Sequence, residues 1–252
     1  MRTAFRKPNA SVEQLSGQLN QTRTLLVLDN LETAQQPQGE IVEQLIPMFG
    51  YSKLLATSRH RFRKDIQRIS LRGLNQSAAF ELMRQVATGI GFIAFDAIPE
   101  ESLTAIFKQT GGSPLAMRFV LSQLEESSLE IVLERLTKFP ALDQITDEDE
   151  YHAFYRHLFF FSWSQLSEDG RLMLLALAHV TSQSGITLSD LQAVIGREWS
   201  RAKVDSVRGE VWRRSFLEIL DSNGLGATRY YLHPLVVHFI ESRVAQTGGW
   251  HE

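Results

Sequence analysis

An α/β segment followed by a helical region is the fold class this sequence predicts, and three stretches predict it. Leu25-Leu26-Val27-Leu28 is an unbroken apolar run that ends at Asp29 and Asn30. KLLATSR, Lys53 to Arg59, is a second short apolar run that also ends in polar residues. A run without polar alternation reads as a strand buried on both faces, as in a parallel sheet flanked by helices. Between the two runs, Ile41, Val42, Leu45 and Ile46 recur at helical spacing, so strand, helix and strand follow at the pacing of an α/β unit.

The remaining elements follow in chain order. Val12, Leu15 and Leu19 predict a short amphipathic helix ahead of the first strand. Pro37 and Gly39 mark a loop, and Pro47 and Gly50 end the helix between the strands. IQRISL, Ile66 to Leu71, alternates and predicts a third strand. From Asn75 the period is helical: Ala78, Ala79, Leu82, Met83 and Val86 share a face, with Ser77 or Asn75 as its cap. Pro99 stands where a first helical turn starts, and Gly111-Gly112 break the chain before a helix through Leu115, Phe119, Val120 and Leu124. Another helix runs from Leu129 to Leu136, and the acidic stretch Asp143 to Glu150 reads as a linker. Beyond it come an aromatic segment, Tyr151 to Trp163, and helices at Leu172 to Val180, Leu188 to Ile195 and Ala202 to Arg214. FLEIL, a Gly/Asn turn and RYYLH read as a β-hairpin, and Pro234 to Val244 as a closing helix. Three helices and then a hairpin is the plan of a winged-helix domain. The expected divisions are a partial α/β domain over 1–74, a helical bundle over 75–150 and a winged helix over 151–252.

Composition narrows the function. With 22 % charged residues and a net charge of −3, the chain as a whole is not built to coat nucleic acid or an anionic membrane. Cysteine is absent, which removes disulfides, thiolate catalysis and Cys-ligated metal. The first residues, MRTAFRKPNAS, lack the apolar core of a signal peptide, so a cytoplasmic location is the expectation. The seven histidines show no metal-ligand spacing, and no G-x-S-x-G occurs.

Taken in order, LLVLDN, KLLATSR, ISLRGLNQSAAFELM, TGGSPLAMRFV and RYYLHPLV resemble the blocks of the signal-transducing STAND class of P-loop NTPases, the group containing NB-ARC domains. FSWSQLSEDGRLMLLALA, Phe161 to Ala178, is similar to the usual entry into the winged helix of that family. The resemblance implies a partial P-loop NTPase parallel sheet, a helical bundle and a C-terminal winged helix. It implies ADP or ATP with Mg²⁺ as ligands, Asp29 as the metal-side acid with Asn30 beside it, and Arg59 as a phosphate sensor. Pro114 would be a wall against the nucleotide and His233 a latch on the β-phosphate of ADP. Each residue has a plainer reading. An Asp at a strand end caps a turn, Arg59 lies in a basic run where a solvated guanidinium serves as well, and Pro114 suits the first turn of a helix. His233 between a hairpin and a helix can be a packing residue, and Phe159 to Phe161 with Trp163 read as core.

Two departures from the family shape the expected function. No Gly-Lys pair occurs in the sequence, so the G-x-x-x-x-G-K-[ST] loop whose amides and Lys cradle phosphates is missing. The 24 residues before Leu25 are too few for that loop, its strand and its helix. Asn30 stands where many relatives carry a second acid, which argues against hydrolysis. The expectation is a regulatory nucleotide-switch module, truncated or completed by an upstream Walker A-containing segment or protein, that signals by conformational change and homo-oligomerisation. The alternatives are DNA binding by the winged helix, through the helix carrying Arg197, Arg201, Lys203, Arg208, Arg213 and Arg214, or a scaffold that binds protein partners without nucleotide.

Overall fold

The structure, a computed structural model, describes residues 12–29, 31, 34, 36–58, 66–180, 185–196, 198–220 and 228–246. The chain divides into two compact units, residues 1–70 and 71–252.

The first unit is a βαβ crossover with one helix before it. Helix α1 (Val12–Gln21) leads into β1 (Leu25–Leu28), α2 (Gln38–Leu45) continues in a single 3₁₀ turn (Ile46–Met48), and β2 (Lys53–Ala56) follows. The strands pair parallel, with Leu25 opposite Lys53 and Leu28 opposite Ala56. Leu19, Val42 and Phe49 are buried. Ser52, only 6 % exposed, joins α1 to β1: its hydroxyl donates to the Leu19 carbonyl at 2.6 Å and accepts from the Thr24 amide at 3.1 Å. Burial along both strands alternates. Leu26, Leu28, Leu54 and Ala56 are half-buried, whereas Leu25, Val27 and Leu55 remain 53 %, 42 % and 45 % exposed. The expectation of strands buried on both faces is therefore corrected, because no described element covers the second face. IQRISL forms no strand either. It pairs with no other described strand, and without a ladder partner its alternation leaves Ile69 and Leu71 exposed at 74 % and 92 %.

The second unit is helical with a small antiparallel sheet. Helices α3 (Gln76–Ile90), α4 (Glu100–Gln109), α5 (Pro114–Gln123) and α6 (Leu129–Leu136) come first. Three of them start with side-chain caps: Asn75 accepts from the Ala78 amide, Ser113 from Ala116, and Ser128 from Ile131, while α4 starts after Pro99 without one. Where Leu74 meets Gly112 through a 2.9 Å backbone bond, a Cβ on Gly73 would stand 1.9 Å from the Gly111 carbonyl oxygen. Gly111 and Gly112 also have φ of 56° and 71°, so this junction requires glycine. The acidic stretch is a connection only in its first half. Asp147 caps α7 (Glu148–Ser164), and Glu148, Asp149 and Glu150 fill its first turn, where the helix dipole favours negative charge.

Next come α8 (Glu168–Val180), β3 (Ile186–Thr187), α9 (Leu188–Ile195), α10 (Arg201–Arg213), the strands β4 (Leu217–Leu220) and β5 (Arg229–Leu232), and α11 (Pro234–Gln246). The sheet order is β3-β5-β4, antiparallel throughout. The two-residue β3 was not expected. Ile186 and Thr187 are too short a run to register as a period, and their pairing with Tyr230 and Arg229 is a long-range event. One core runs through the whole unit, from Ala79 on α3 to Ile240 on α11. Phe119 on α5 stands at its centre, its ring 4.6 Å from that of Phe159 on α7 and 5.0 Å from that of Phe216.

Candidate functional site

Parallel, in-register strands end at the same level, so the residues just past their last pairs are neighbours. Here those residues are Asp29 and Thr57. The ladder continues beyond the strands, with Thr57 donating to the Leu28 carbonyl and Leu31 to the Thr57 carbonyl, both at 2.9 Å. This fixes both side chains, and the Thr57 hydroxyl donates to Asp29 Oδ1 at 2.6 Å. Ser58 is held in turn by a 2.5 Å bond to Gln38 at the start of α2. Because side chains alternate along a strand, Asp29 and Thr57 share a face with Leu25, Val27, Lys53 and Leu55. The acid–hydroxyl pair therefore stands at the carboxyl end of the uncovered apolar face, where open parallel sheets take their ligands.

The donor set suits a hard cation that keeps most of its water. Among the described residues no group of three His, Cys, Asp or Glu side chains could enclose an ion, which leaves out a protein-only cage. Mg²⁺ keeps several waters and binds through one or two carboxylates plus phosphate oxygens. A single exposed carboxylate, oriented through one oxygen by a hydroxyl, suits that role when a phosphate is present.

The other expected residues fall as follows. Asn30 and Arg59 lie outside the described residues. Pro114 is exposed at the first position of α5, directly after the Ser113 cap; Ser113 also bonds the Tyr155 hydroxyl at 2.8 Å. His233 is half-buried between β5 and α11 and caps that helix. Its carbonyl accepts from Val236 and Val237, and its Nδ1 accepts from the Leu235 amide at 3.2 Å. With Nδ1 an acceptor, the neutral ring carries its proton on Nε2. No described contact joins Pro114 to His233, and both lie in the second unit while Asp29 lies in the first.

Thr57 is the residue that sequence reasoning missed. Its signal was that Thr57, like Asp29, is the first polar residue after a short apolar run, and the two stand level once the strands pair in register. Phe160 also departs from the expected core: Phe159 is 1 % and Trp163 9 % exposed, but Phe160 is 48 % exposed. On the expected reading helix three cations meet acids, while Arg201 and Arg213 form no ion pair among the described residues. Lys203 pairs with Asp169 at 2.9 Å, Arg208 with Asp205 at 2.8 Å, and Arg214 with Glu126. Arg197 lies outside the described residues.

Among the described residues no helix is long and apolar enough to cross a membrane. No protein-family model matches this chain, and no curated protein does. Among solved structures, a Walker-type ATPase of Pyrococcus abyssi is similar over 92 % of this chain and 68 % of its own length, at 12 % identity and a TM-score of 0.36.

Proposed function

We propose that this chain is a regulatory nucleotide-switch module of the STAND/NB-ARC kind, carrying the metal-side half of an ADP/ATP site. The observation that carries the reading is the Asp29–Thr57 pair, held level at the carboxyl ends of two parallel strands by a 2.6 Å hydrogen bond. Asp29 would hold Mg²⁺, which supplies positive charge to phosphate oxygens, and Thr57 fixes the orientation of the carboxylate. The sequence contains no Gly-Lys pair, so the amide cradle and lysine for the phosphates come from a Walker A-containing segment or protein. The bare face of Leu25, Val27 and Leu55 is the surface that such a layer would cover, since parallel strands are stable when both faces are buried.

On this reading Arg59 senses the phosphate and Pro114 lines the nucleotide. His233 meets the β-phosphate as a donor through Nε2, the nitrogen left protonated by the cap on α11. The succession of α8, β3, α9, α10 and the β4–β5 hairpin supports a winged-helix reading of 151–252. With Asn30 in place of a second acid, the module binds and releases nucleotide rather than turning it over, and the exchange drives oligomerisation. DNA binding through α10 has less support, because Lys203, Arg208 and Arg214 are already paired with acids and offer duplex phosphates little unbalanced charge.

Calorimetric titration with Mg·ADP tests the reading. The purified chain alone is expected to give no saturable heat. The same chain with its Walker A-containing partner is expected to bind, and Asp29→Ala to remove the Mg²⁺ dependence of that binding. Low-micromolar ADP affinity in the chain alone would overturn the divided site, and Mg²⁺ dependence surviving Asp29→Ala would overturn the assignment of the acid.

A further inference from the structure

The outward side of the C-terminal half of α7 carries charge and aromatic surface that the core does not use. Arg156, Phe160 and Ser164 are exposed and succeed one another at one-turn steps, about 6 Å apart along the axis. Arginines from three other helices converge on the same stretch. Arg135 of α6 lays its guanidinium 3.7 Å over the Phe161 ring, and Arg243 of α11 stands 5.2 Å from the Phe160 ring. Arg171 of α8 donates to the Trp163 and Ser164 carbonyls at 3.3 and 3.1 Å, closing the end of α7 while keeping its charge.

Among the described residues, Arg135, Arg156 and Arg171 form no ion pair with a carboxylate. On α10 and at its C-cap, by comparison, Lys203, Arg208 and Arg214 each meet an acid, while Arg201 and Arg213 do not. A second sign of the local field comes from His157, one turn before Phe161. Burial, and then the positive charges of Lys138 and Arg135, hold its pKa below the usual histidine value.

We propose that this face binds single-stranded nucleic acid, with phosphates on Arg135, Arg156 and Arg171 and an unpaired base stacked on Phe160. Exposed rings interleaved with arginines match what single strands offer, a flexible line of phosphates with bases free to stack. A duplex hides its base faces, so Phe160 would gain nothing from it. An acidic peptide would satisfy the arginines and leave the ring bare. One exposed phenyl ring is also too little apolar surface to anchor the chain on a membrane. The site is independent of the nucleotide reading, which rests on the other unit.

Fluorescence anisotropy of the full chain with a labelled oligothymidylate or oligouridylate of about 12 nucleotides tests the proposal, at about 100 mM salt and then at higher salt. Saturable binding is expected, weakening steeply as salt rises. Arg156→Glu is expected to weaken it about ten-fold or more, and Phe160→Ala about five-fold or more, with Phe160→Trp retaining it, the range a lost base stack gives. Arg208→Glu on α10 and Asp29→Ala are expected to change it less than about two-fold, since neither touches a phosphate on this reading. Both α7 side chains are exposed, so thermal unfolding of each variant is expected to match the parent. Absence of saturable binding, equal affinity for a duplex of the same length, displacement by polyglutamate as effective as by unlabelled oligonucleotide, or an unchanged affinity in Phe160→Ala would each overturn it.

Discussion

Ser52 shows how much one hydroxyl decides in a small unit. It closes α1 by donating to the Leu19 carbonyl and starts β1 by accepting from the Thr24 amide, in a site 6 % exposed. Ser52→Ala strands both backbone groups, and a buried polar group without a partner costs about 1–3 kcal/mol. The expected outcome is faster hydrogen exchange of the β1 and β2 amides with α3 to α11 unaffected. Exchange accelerating equally in both units would show that Ser52 acts otherwise. His157 makes a prediction of opposite character. Its Nε2 is buried without a hydrogen-bond partner, and burial with the nearby cations lowers its pKa from the ordinary 6.5. A base whose folded pKa is lowered binds more protons when unfolded. Its stabilising effect is therefore complete above about pH 6.5 and declines as pH falls through the lowered value. Denaturation midpoints of residues 71–252 are expected to drop over that window, and His157→Leu to flatten the drop. An identical profile in the variant would assign the pH dependence to other groups.

At the scale of elements, the cap at Asn75 was legible because capping is local, whereas Asp147 lies in the stretch expected to be a linker. Asn75, Ser113, Ser128 and Asp147 each accept from an amide three residues on, and a side chain followed by its own first turn can be read from neighbours alone. Strands were less legible. β1 and β2 stood out as apolar runs, whereas β3 exists only because Tyr230 and Arg229 lie opposite it. IQRISL had the alternation of a strand and no described partner, and so forms no strand and leaves Ile69 and Leu71 exposed. Helix α5 is the element on which the second unit depends, with Phe119 wholly buried between the rings of Phe159 and Phe216. Phe119→Ala is expected to destabilise that unit by about 3–5 kcal/mol. Far-ultraviolet and aromatic signals are expected to be lost in one transition, because the core it empties is shared by α5, α7 and the hairpin. Two separated transitions in the parent would show that the helices before residue 150 and the domain after it fold independently.

The whole molecule is two compact units with a bare stretch at their border. Residues 66–72 hold no helix or strand, and Ile69 and Leu71 are among the most exposed apolar side chains. Arg68 and Arg72 lie in that stretch and are exposed. Brief trypsin treatment is expected to cut there first, which mass spectrometry of the fragments would reveal. The product beginning at Gly73 keeps the whole core from Ala79 to Ile240 and is expected to unfold cooperatively by itself. Initial cleavage inside 75–246 would refute that ordering. Polar contacts reinforce the unity of the larger fragment. Glu218 on β4 accepts from the Tyr231 hydroxyl and pairs at 3.6 Å with Arg118 of α5, while Arg214 pairs with Glu126.

What the sequence by itself determined is the set of local events: two apolar runs ending in polar residues, the cap at Asn75, the glycine junction before α5, the missing phosphate loop, and Asp29 as the acid to examine. These depend on a few successive residues, and short-range hydrogen bonding and periodicity govern them. Only the tertiary structure decided that Thr57 lies beside Asp29, that no described element covers one face of the β1–β2 sheet, and that Lys203, Arg208 and Arg214 each meet an acid. Such facts depend on register and packing, which bring together side chains 28 residues apart in the case of Asp29 and Thr57. No local pattern carries that information, because each partner is selected by the geometry of the folded chain.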